Sequence, residues 1–297
     1  MFFIGRVAGY VTVNSYFWRF NRFLTGSMNV ICSRIFRGVA IIVATLLFTS
    51  CASLSKSGVG RIHKYTIEGD IPQIFDGATA VFISDIHYPS KFTRKRLGKM
   101  MYKLHTLSPD LLLLGGDYVT SDEYIYELFD SLSNVKTSYG TYAVLGNHET
   151  SRAHLVDSVA ALYGIRMLND EAVAVGCDSA SIYIAGVRNS FNASPSPSDT
   201  VVDKGFTILL AHTPDYAQSV DAVAHLVLSG HTHGGQVSLF GLYTPVKNSR
   251  YGARFLRGKN FTDSGVTVIT TTGVGTSRRK IRFCVPSEIV VIELRCR

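Results

Sequence analysis

The sequence predicts an α/β protein, a four-layer αββα sandwich of two mixed β-sheets flanked by helices. Several short runs of Val, Ile, Leu and Ala lack strict alternation with polar residues, which is typical of strands covered on both faces. In the first half of the chain these runs alternate with helix-like stretches, and this order indicates βαβ units. The second half has more strand-like and less helix-like sequence, so we expect a second sheet layered on the first. The 297 residues, 46% of them hydrophobic, suffice for one sizeable core.

Nine strands are predicted, because nine segments combine the length of a strand with apolar or β-branched sequence. In chain order they are Lys64–Ile67, Ala78–Ser84, Leu111–Gly115, Thr141–Leu145, Ser181–Val187, Thr207–Ala211, His225–Ser229, Val266–Thr271 and Glu288–Leu294. Four helices are predicted where the chain has longer, helix-like stretches. They are Arg94–Leu107, Tyr124–Ser133, Ala153–Tyr163 and Pro214–Ala224.

Residues 1–51 are predicted to be an export signal or a membrane anchor. Arg34 and Arg37 precede the apolar stretch Gly38–Phe48, and small residues follow it, as in a secretory signal. The stretch is short for a membrane-spanning helix, which needs about 20 residues. Its ending, Leu-Phe-Thr-Ser-Cys, resembles the lipobox of bacterial lipoproteins, which makes Cys51 the expected site of lipidation.

Two other interpretations of this segment stay open, an uncleaved membrane anchor and a buried core segment. Residues 1–27 are unusual for a signal, so Met28 is an alternative start. With a lipid or membrane anchor, the arginines stay inside and the body of the protein lies outside the cytoplasmic membrane. Residues 52–61, rich in Ser and Gly, are predicted to be a tether, and residues 62–297 a single domain.

Charge and cysteine content exclude some classes of function. Residues 1–50 contain five Arg and no acidic residue, so most of the net charge of +8 belongs to the N-terminus. This distribution argues against nucleic acid as a partner. The five cysteines are widely spaced and form no CxxC pair, which indicates neither a zinc finger nor a disulfide framework.

Polar side chains directly follow five of the predicted strands. In α/β sheets, ligand sites form at the carboxyl ends of strands, so we expect these side chains to gather in one pocket. The candidate metal ligands are Asp85, His87, Asp117, Asn147, His212, His231 and His233. If the chain stays extended beyond each strand, residues two apart project to the same side. Asp85 and His87 would then reach one ion, and His231 and His233 would do the same.

This set of ligands predicts two divalent metal ions and hydrolytic chemistry. Mixed nitrogen and oxygen ligands suit Mn, Fe, Zn or Co, whereas an all-oxygen set would favour Mg or Ca. A carboxylate that bridges two ions, ~3.5–4 Å apart, would allow the pair to activate water against phosphorus. His148 directly follows a candidate ligand and is the candidate catalytic residue. It would donate a proton to the leaving oxygen or stabilise the phosphoryl charge.

The ordered motifs D-x-H, G-D, G-N-H-E, a lone His after a strand and G-H-T-H resemble the calcineurin-like metallophosphoesterase family. The resemblance spans roughly residues 78–294 and is strongest for a membrane-associated bacterial branch with a G-H-T-H-G-G-Q motif, here Gly230–Gln236. A late segment of that branch corresponds to Gly273–Ser277, Arg282-Phe283 and Pro286–Glu288. The family fold is a two-sheet αββα sandwich, in agreement with the fold class predicted above.

The resemblance also implies a role for each candidate residue. One ion would be held by Asp85, His87 and His233, and the other by Asn147, His212 and His231. Asp117 would bridge the two ions, and His148 would act on the leaving group or the phosphate. Protein phosphatases of the family continue the G-D motif with x-x-D-R, which is absent from Gly116–Ser121, so a phosphoprotein substrate is not expected.

The expected function is therefore metal-dependent hydrolysis of a phosphoester or pyrophosphate bond, at a membrane surface. The substrate is a phosphate ester that could be lipid-linked, as in relatives that hydrolyse UDP-2,3-diacylglucosamine or phospholipid headgroups. The UDP-lipid alternative conflicts with export, because nucleotide-linked precursors are cytoplasmic. An inactive scaffold with the same fold and a nuclease are the remaining alternatives, and no protein partner is indicated.

Three basic segments are candidates for contacts outside the metal ligands. Lys91–Lys103 has six basic residues and no acidic one, which predicts either a solvated helix face or contact with anionic lipid. The basic residues of Lys247–Lys259 follow the last metal motif and are candidates for binding an acidic substrate. Arg278, Arg279 and Lys280 are candidates for the same role.

Overall fold

A computed structural model describes residues 33–45, 59–177, 180–188, 205–219, 224–239 and 241–297. The chain divides into two compact units, Met1–Cys51 and Ala52–Arg297. In the first unit, residues 33–45 are helical. None of the helices in these described ranges is both long and apolar enough to cross a membrane. The predicted lipidation site Cys51 and most of the predicted tether lie outside the described residues, so those predictions stay open.

The second unit has twelve strands and three α-helices in its described part. The strands are β1 (Arg61–Gly69), β2 (Thr79–Ile83), β3 (Leu111–Leu114), β4 (Thr141–Ala143), β5 (Ile165–Met167), β6 (Glu171–Cys177), β7 (Ala180–Gly186), β8 (Thr207–Leu210), β9 (Leu226–Ser229), β10 (Gly258–Phe261), β11 (Thr267–Thr270) and β12 (Glu288–Cys296). The helices are α1 (Arg94–Leu107), α2 (Ile125–Ser133) and α3 (Ala153–Leu162).

The strands form two mixed sheets of six, which confirms the predicted fold class. The first sheet has the order β1-β12-β2-β3-β4-β5, and only the pair β12–β2 is antiparallel. The second sheet has the order β10-β11-β9-β8-β7-β6, with antiparallel pairs at both edges and parallel pairs between them. The central strands of both sheets are therefore parallel, so their carboxyl ends lie at one edge of each sheet.

Apolar side chains fill the space between the sheets and explain the lack of alternation. Alternate residues of β2, Ala80 and Phe82, face a core that also contains Ile208 and Leu210 from β8. The other residues of β2, including Val81, face the helices on the opposite side. Both faces of a central strand are thus buried, so nearly every position is apolar.

The two outer faces are covered in different ways. The first sheet packs against all three helices through a core that includes Met100, Leu128 and Val156. In the described part, the outer face of the second sheet packs against Tyr216 and Phe255, which lie outside any α-helix. The predicted helix Pro214–Ala224 was wrong over its described part, which is a 3₁₀-helix at Pro214–Ser219 followed, after the gap, by non-helical Ala224.

Three strands were not predicted from the sequence, and all lie at the periphery of the sheets. β5 is only three residues long, and β6 and β10 are the edge strands of the second sheet. The sequence of β10, Gly-Lys-Asn-Phe, has a single apolar residue, and that residue is exposed. An edge strand needs only one paired neighbour and little buried surface, so hydrophobicity does not reveal it.

Candidate metal centre

The candidate residues lie in the loops that follow the parallel strands of both sheets. Asp85, Asp117 and Asn147 come after β2, β3 and β4 of the first sheet. His212 and His231 come after β8 and β9 of the second. Because the two sheets pack face to face, the loops from both meet at the same edge, and all eight predicted side chains gather there.

One group of side chains surrounds the carboxylate of Asp85. His233 Nε2 lies 3.2 Å from Asp85 Oδ1 and 3.3 Å from His87 Nε2. All three residues are almost fully buried, and their nearest ligand atoms lie within 4.8 Å of one another. This group matches the first predicted set of metal ligands.

A second group surrounds the side-chain oxygen of Asn147. His231 Nδ1 lies 2.8 Å from Asn147 Oδ1, and His212 Nε2 lies 3.2 Å from the same atom. The two imidazole nitrogens are 3.3 Å apart. This group contains the residues of the second predicted set.

Asp117 lies between the two groups. Its Oδ2 atom is 3.4 Å from His87 Nε2 and 3.6 Å from His212 Nε2. Its other oxygen, Oδ1, accepts a hydrogen bond of 3.0 Å from the backbone N–H of His148. The His148 side chain is half exposed, with Nε2 3.9 Å from Asp117 Oδ2, so it borders the centre from the solvent side.

The donor set fits divalent cations. His212 Nδ1 donates a hydrogen bond of 2.6 Å to the carbonyl of Gly115, which leaves the lone pair of the neutral ring on Nε2. That lone pair faces Asp117 Oδ2, so two acceptor atoms are turned toward each other. A cation between them would satisfy both, and a hydrogen bond to the second nitrogen is the usual way to orient a metal-binding histidine. Buried imidazole, amide and carboxylate donors together suit the borderline ions predicted above.

The comparisons with known proteins identify the family. The sequence profile of the family described as "Calcineurin-like phosphoesterase" matches residues 78–235. The chain belongs to the calcineurin-like phosphoesterase family. This membership confirms the predicted family and the prediction of a metal-dependent phosphoester hydrolase, whereas the membrane-associated branch stays a prediction.

Two bacterial relatives of this phosphoesterase match most of its length. It is 29% identical over 243 residues to the metallophosphoesterase YkuE of Bacillus subtilis (strain 168), covering 78% of this chain and 84% of YkuE. It is 32% identical over 225 residues to phosphodiesterase YaeI of Escherichia coli (strain K12), covering 72% of this chain and 81% of YaeI. The matches to proteins of Campylobacter jejuni and Helicobacter pylori (strain J99) span 62% and 59% of those proteins.

Among solved structures, the phosphoesterase is similar to a dimetal phosphatase from Danio rerio. The TM-score is 0.43 at 13% sequence identity, and the superposition covers 67% of this chain and 88% of the other. A TM-score of this size is too low to support a conclusion about function.

The segments that carry the ligands are not extended, which corrects the expectation that residues two apart share one side of a strand-like backbone. Asp85 and His87 have φ angles of 58° and 51°, and His231 and His233 have φ angles of 66° and 51°. These values belong to the left-handed region. Asp85 and His87 reach the same group because the backbone turns sharply, and not because it continues a strand. His231 and His233 instead join different groups, His231 beside Asn147 and His233 beside Asp85, so the expectation that this pair reaches one ion was wrong.

Close backbone approach at the centre requires glycine at several positions, and at two of them a Cβ atom would meet a candidate ligand's carboxylate. A Cβ atom on Gly230 would lie 2.3 Å from Asp85 Oδ2, and one on Gly146 would lie 2.2 Å from Asp117 Oδ1. Both distances are far below van der Waals contact, so any side chain would displace a candidate ligand. The glycines of these motifs therefore serve the packing of the ligand loops.

The electrostatic environment shifts the pKa values of the two buried carboxyl groups in opposite directions. Burial, together with the negative charge of Asp85, raises the pKa of Asp117 well above its ordinary value. Burial also acts to raise the pKa of Asp85, but the imidazoles of His233, His212 and His87 outweigh it and lower that pKa. A raised pKa for Asp117 means that its carboxylate lacks sufficient positive charge nearby, which a bound cation would supply.

Burial favours the neutral form of four histidines of the centre, His87, His148, His231 and His233. It lowers the pKa of His87 to about 3 and the pKa values of His231 and His233 to about 4, with neighbouring imidazoles adding to the shift. Burial and the nearby His212 also lower the pKa of His148. Neutral imidazole is the form that binds metal, so these histidines need to lose no proton at pH 7 before they act as ligands.

Sequence reasoning gave no role to Glu149, which the structure places under the centre. The fully buried carboxylate accepts hydrogen bonds from three backbone N–H groups, those of Asp117 (2.8 Å), Gly146 (2.9 Å) and Tyr118 (3.0 Å). Burial and the charge of Asp117 raise its pKa to about 7. The position of Glu149 in the G-N-H-E motif was the sequence feature that could have indicated this role.

Arg282 is the second residue whose role only the structure reveals. Its guanidinium is buried and donates hydrogen bonds to five backbone carbonyls. The acceptors are the carbonyl oxygens of Thr272, Gly273, Gly275, His233 and Val285. Arg282 thus ties the loop after β11 to the turn that carries His233.

The basic residues of Lys91–Lys103 do not form one solvated face. Arg96 donates a hydrogen bond of 2.8 Å to the carbonyl of Val274, and Lys103 donates one to the carbonyl of Gly60. Arg94 is bound to Glu127 on helix α2. In the second basic segment, Arg254 forms an ion pair with Asp263. Arg96 and Lys103 therefore link helix α1 to other segments, whereas the ion pairs of Arg94 and Arg254 lie at the surface and contribute little to stability.

Proposed function

We propose that the protein is a dinuclear metal hydrolase that cleaves phosphodiesters. The observation that carries the proposal is the position of Asp117, whose Oδ2 atom lies within 3.6 Å of one histidine from each of the two ligand groups. A single carboxylate oxygen between two sets of donors is what a shared ligand of two cations requires. Family membership supports the same chemistry.

The two ions, once bound, would supply an activated water and stabilise the charge that develops on phosphorus. The ligands would be Asp85, His87 and His233 for one ion and Asn147, His212 and His231 for the other, with Asp117 shared. The loops of both sheets hold these groups rigidly, which fixes the orientation of a bound phosphate before reaction.

His148 is the residue of this chain best positioned to act on the leaving oxygen. Its backbone is tied to Asp117 by a hydrogen bond, while its half-exposed ring faces the open side of the centre. An imidazole at that place can bind a phosphoryl oxygen, and the anion would in turn favour the protonated ring. A protonated His148 would then donate its proton to the departing alkoxide.

A phosphodiester is favoured over a phosphoprotein for two reasons. The relative YaeI, which is 32% identical, is named a phosphodiesterase. The G-D motif continues as Tyr118–Ser121, without the D-R pair that protein phosphatases of the family carry.

We also propose a membrane location through a lipid on Cys51, with a single N-terminal anchor as the alternative. The support for both is the sequence of residues 34–51.

The substitution Asp117→Asn tests the dinuclear proposal. The amide keeps the size of the side chain but removes the charge between the two groups, so we expect loss of bound metal and loss of hydrolysis. Metal content is measured by elemental analysis and turnover with bis-p-nitrophenyl phosphate. Asp130→Asn, the same change on the exposed face of α2, is the matched control and should keep both. Full turnover by a pure Asp117→Asn sample would refute the proposal.

A substrate panel tests the class of ester. We expect bis-p-nitrophenyl phosphate to be hydrolysed faster than p-nitrophenyl phosphate, and single-stranded DNA to be a poor substrate. Phospholipids in the same panel test the lipid-headgroup alternative. A metal content near zero after purification without chelators would favour the inactive scaffold instead.

A further inference from the structure

A cavity of about 310 Å³ lies beside the metal centre. Its volume is within the range of pockets that bind small molecules. Three chain segments form its walls, residues 232–237, 245–248 and 277–281. No role has been assigned to this cavity by the ligand motifs, because most of its lining lies outside them.

His233 belongs to both the cavity wall and the metal centre. Its Nε2 atom lies 3.2 Å from Asp85 Oδ1, so this edge of the ring faces the ligands. The ring itself is almost fully buried, and its Nδ1 atom has no hydrogen-bond partner within the described part of the chain. The cavity and the metal centre are thus adjacent, because they share His233.

Most of the surface that lines the cavity is apolar, although polar side chains also contribute to it. Val237, Pro245, Val246 and Ile281 contribute to the lining. The amide of Gln236 also lines it, but both of its polar atoms are already bound to the backbone of Ser277, at 3.1 and 2.6 Å. The cavity can therefore accept an apolar group without leaving that amide unpaired.

The charge of the lining favours an anionic ligand. Two exposed arginines, Arg278 and Arg279, are part of it, and none of the lining residues that the structure describes is acidic. Among the described residues of the lining there is no Phe, Tyr or Trp either, so this part of the wall lacks the aromatic face on which a nucleobase stacks. An aliphatic wall with a cationic border matches a phosphate ester that carries an aliphatic arm.

We propose that this cavity binds an aliphatic substituent of the phosphodiester substrate. The inference rests on the proposed function, because the phosphate of the same molecule would lie at the adjacent metal centre. Burial of the arm beside the centre would fix the position of the phosphorus. It would also make the enzyme select esters by the length of the arm.

The proposal is tested by the dissociation constants of hexylphosphonate and methylphosphonate for the manganese-loaded protein, measured by isothermal titration calorimetry. Burial of one methylene strengthens binding by about fourfold. Five additional methylenes, some of them left in the open mouth, should strengthen binding by at least ~20-fold. Equal dissociation constants for the two phosphonates would overturn the proposal.

Two substitutions locate the effect in the cavity. Val246→Glu and Ile281→Glu each place a carboxylate on the lining at a partly exposed position, so both variants are expected to fold, as a thermal melt can check. In both variants we expect the two phosphonates to bind with dissociation constants that differ by less than about threefold. Leu242→Glu, on the same surface loop as Val246 but outside the lining, is the control and should keep the full preference.

Turnover of methyl p-nitrophenyl phosphate separates this proposal from the proposed function. Wild-type protein that fails to hydrolyse it, while still binding hexylphosphonate more tightly, would refute the function and leave the cavity assignment intact. Wild-type protein that hydrolyses it, with no chain-length preference in binding, would refute the cavity assignment alone. An unchanged preference in both Glu variants would also refute it.

Discussion

Five residues of the metal centre hold their backbone in the left-handed region. They are Asp85, His87, Asp117, His231 and His233. For a residue other than glycine this conformation is unfavourable by about 1–2 kcal/mol. The hydrogen bonds between the loops stabilise it, among them the one from the backbone N–H of His231 to Asp85. The ligand loops therefore depend on one another, and a change in one should disturb the others.

Glu149 provides a direct test of this dependence. In the wild type, three backbone N–H groups donate to the carboxylate of Glu149. The substitution Glu149→Gln would turn an amide N–H₂ group, itself a donor, toward them. We expect the free energy of unfolding to fall by about 1–3 kcal/mol, because at least one buried donor loses its acceptor. Manganese affinity should fall by roughly 10-fold or more, since the substitution disturbs the support of Asp117.

Urea denaturation and calorimetric titration with manganese measure these two effects. Glu123→Gln, the same change on an exposed side chain, should alter neither by more than the experimental error. Wild-type stability and affinity in Glu149→Gln would show that the carboxylate does not position the ligand loops.

His233 should make the stability of the metal-free protein depend on pH. Burial lowers its pKa from 6.5 to about 4, so between these values the unfolded chain binds a proton that the folded protein does not. The stabilising contribution is complete above pH 6.5 and is lost as the pH falls to about 4. Other groups titrate in the same range, among them Glu149, so a variant is needed to isolate this one.

The comparison is between the wild type and His233→Asn, both in EDTA. We expect their difference in melting temperature, wild type minus variant, to be largest above pH 6.5 and to shrink steadily toward pH 4. Thermal melts at half-unit steps of pH measure it. A difference in melting temperature that stays constant from pH 6.5 to pH 4 would contradict the lowered pKa of His233.

At the scale of elements, the loop after β11 shows how a segment without ligands can shape the centre. Its residue Gly275 lies against Asp85 and Ile86 so closely that a Cβ atom would lie 2.1 Å from the carbonyl oxygen of Ile86. Arg282 holds this loop through the carbonyls of Thr272, Gly273 and Gly275. The loop therefore supports the turn of Asp85 from behind.

Arg282→Lys should break this support while keeping the charge. An ammonium group cannot reach five carbonyls arranged around a planar guanidinium, so several buried acceptors lose their donor. We expect the free energy of unfolding to fall by about 3 kcal/mol or more, measured by urea denaturation. Arg166→Lys, at a side chain 56% exposed, is the control and should change it by less than about 0.5 kcal/mol. Equal stability of the two variants would show that Arg282 does not stabilise the loop after β11.

Most elements that the sequence predicted correctly are well buried, although the largely exposed edge strand β1 was also predicted. Central strands such as β3, with four buried leucines, and helix α1 are evident from local pattern alone. Strands β6 and β10 lie at sheet edges, where pairing with one neighbour matters more than hydrophobicity. The 3₁₀-helix Pro214–Ser219 buries Tyr216 and Ala217 against the second sheet, and this spacing of buried residues does not distinguish it from an α-helix.

At the scale of the whole molecule, each of the two sheets supplies part of the set of candidate metal ligands. The first sheet supplies every carboxylate of the centre, and the second supplies three of its histidines. Neither sheet alone carries a complete set of ligands. Hydrolysis therefore depends on the packing between the sheets, in which Phe82 and Leu210 take part.

The proposed membrane location is a property of the full chain and predicts a lipid on Cys51. In bacteria that process lipoproteins, metabolic labelling with a radioactive fatty acid should label the wild type, and Cys51→Ser should lose the label and leave the membrane fraction. Cys177→Ser, at an exposed thiol of the folded unit, is the control and should keep both. An unlabelled wild type that stays in the membrane would favour the uncleaved N-terminal anchor.

The sequence by itself identified the candidate residues for the chemistry. Each of the five motifs follows an apolar run, and the physics of parallel strands is enough to place Asp85, Asp117 and Asn147 at one edge. Only the tertiary structure decided how these groups face one another. The position of Asp117 between His87 and His212, the support from Glu149 and Arg282, and the aliphatic cavity depend on sharp turns and on the packing of two sheets. Such contacts join residues far apart in the chain, so no local pattern of residues encodes them.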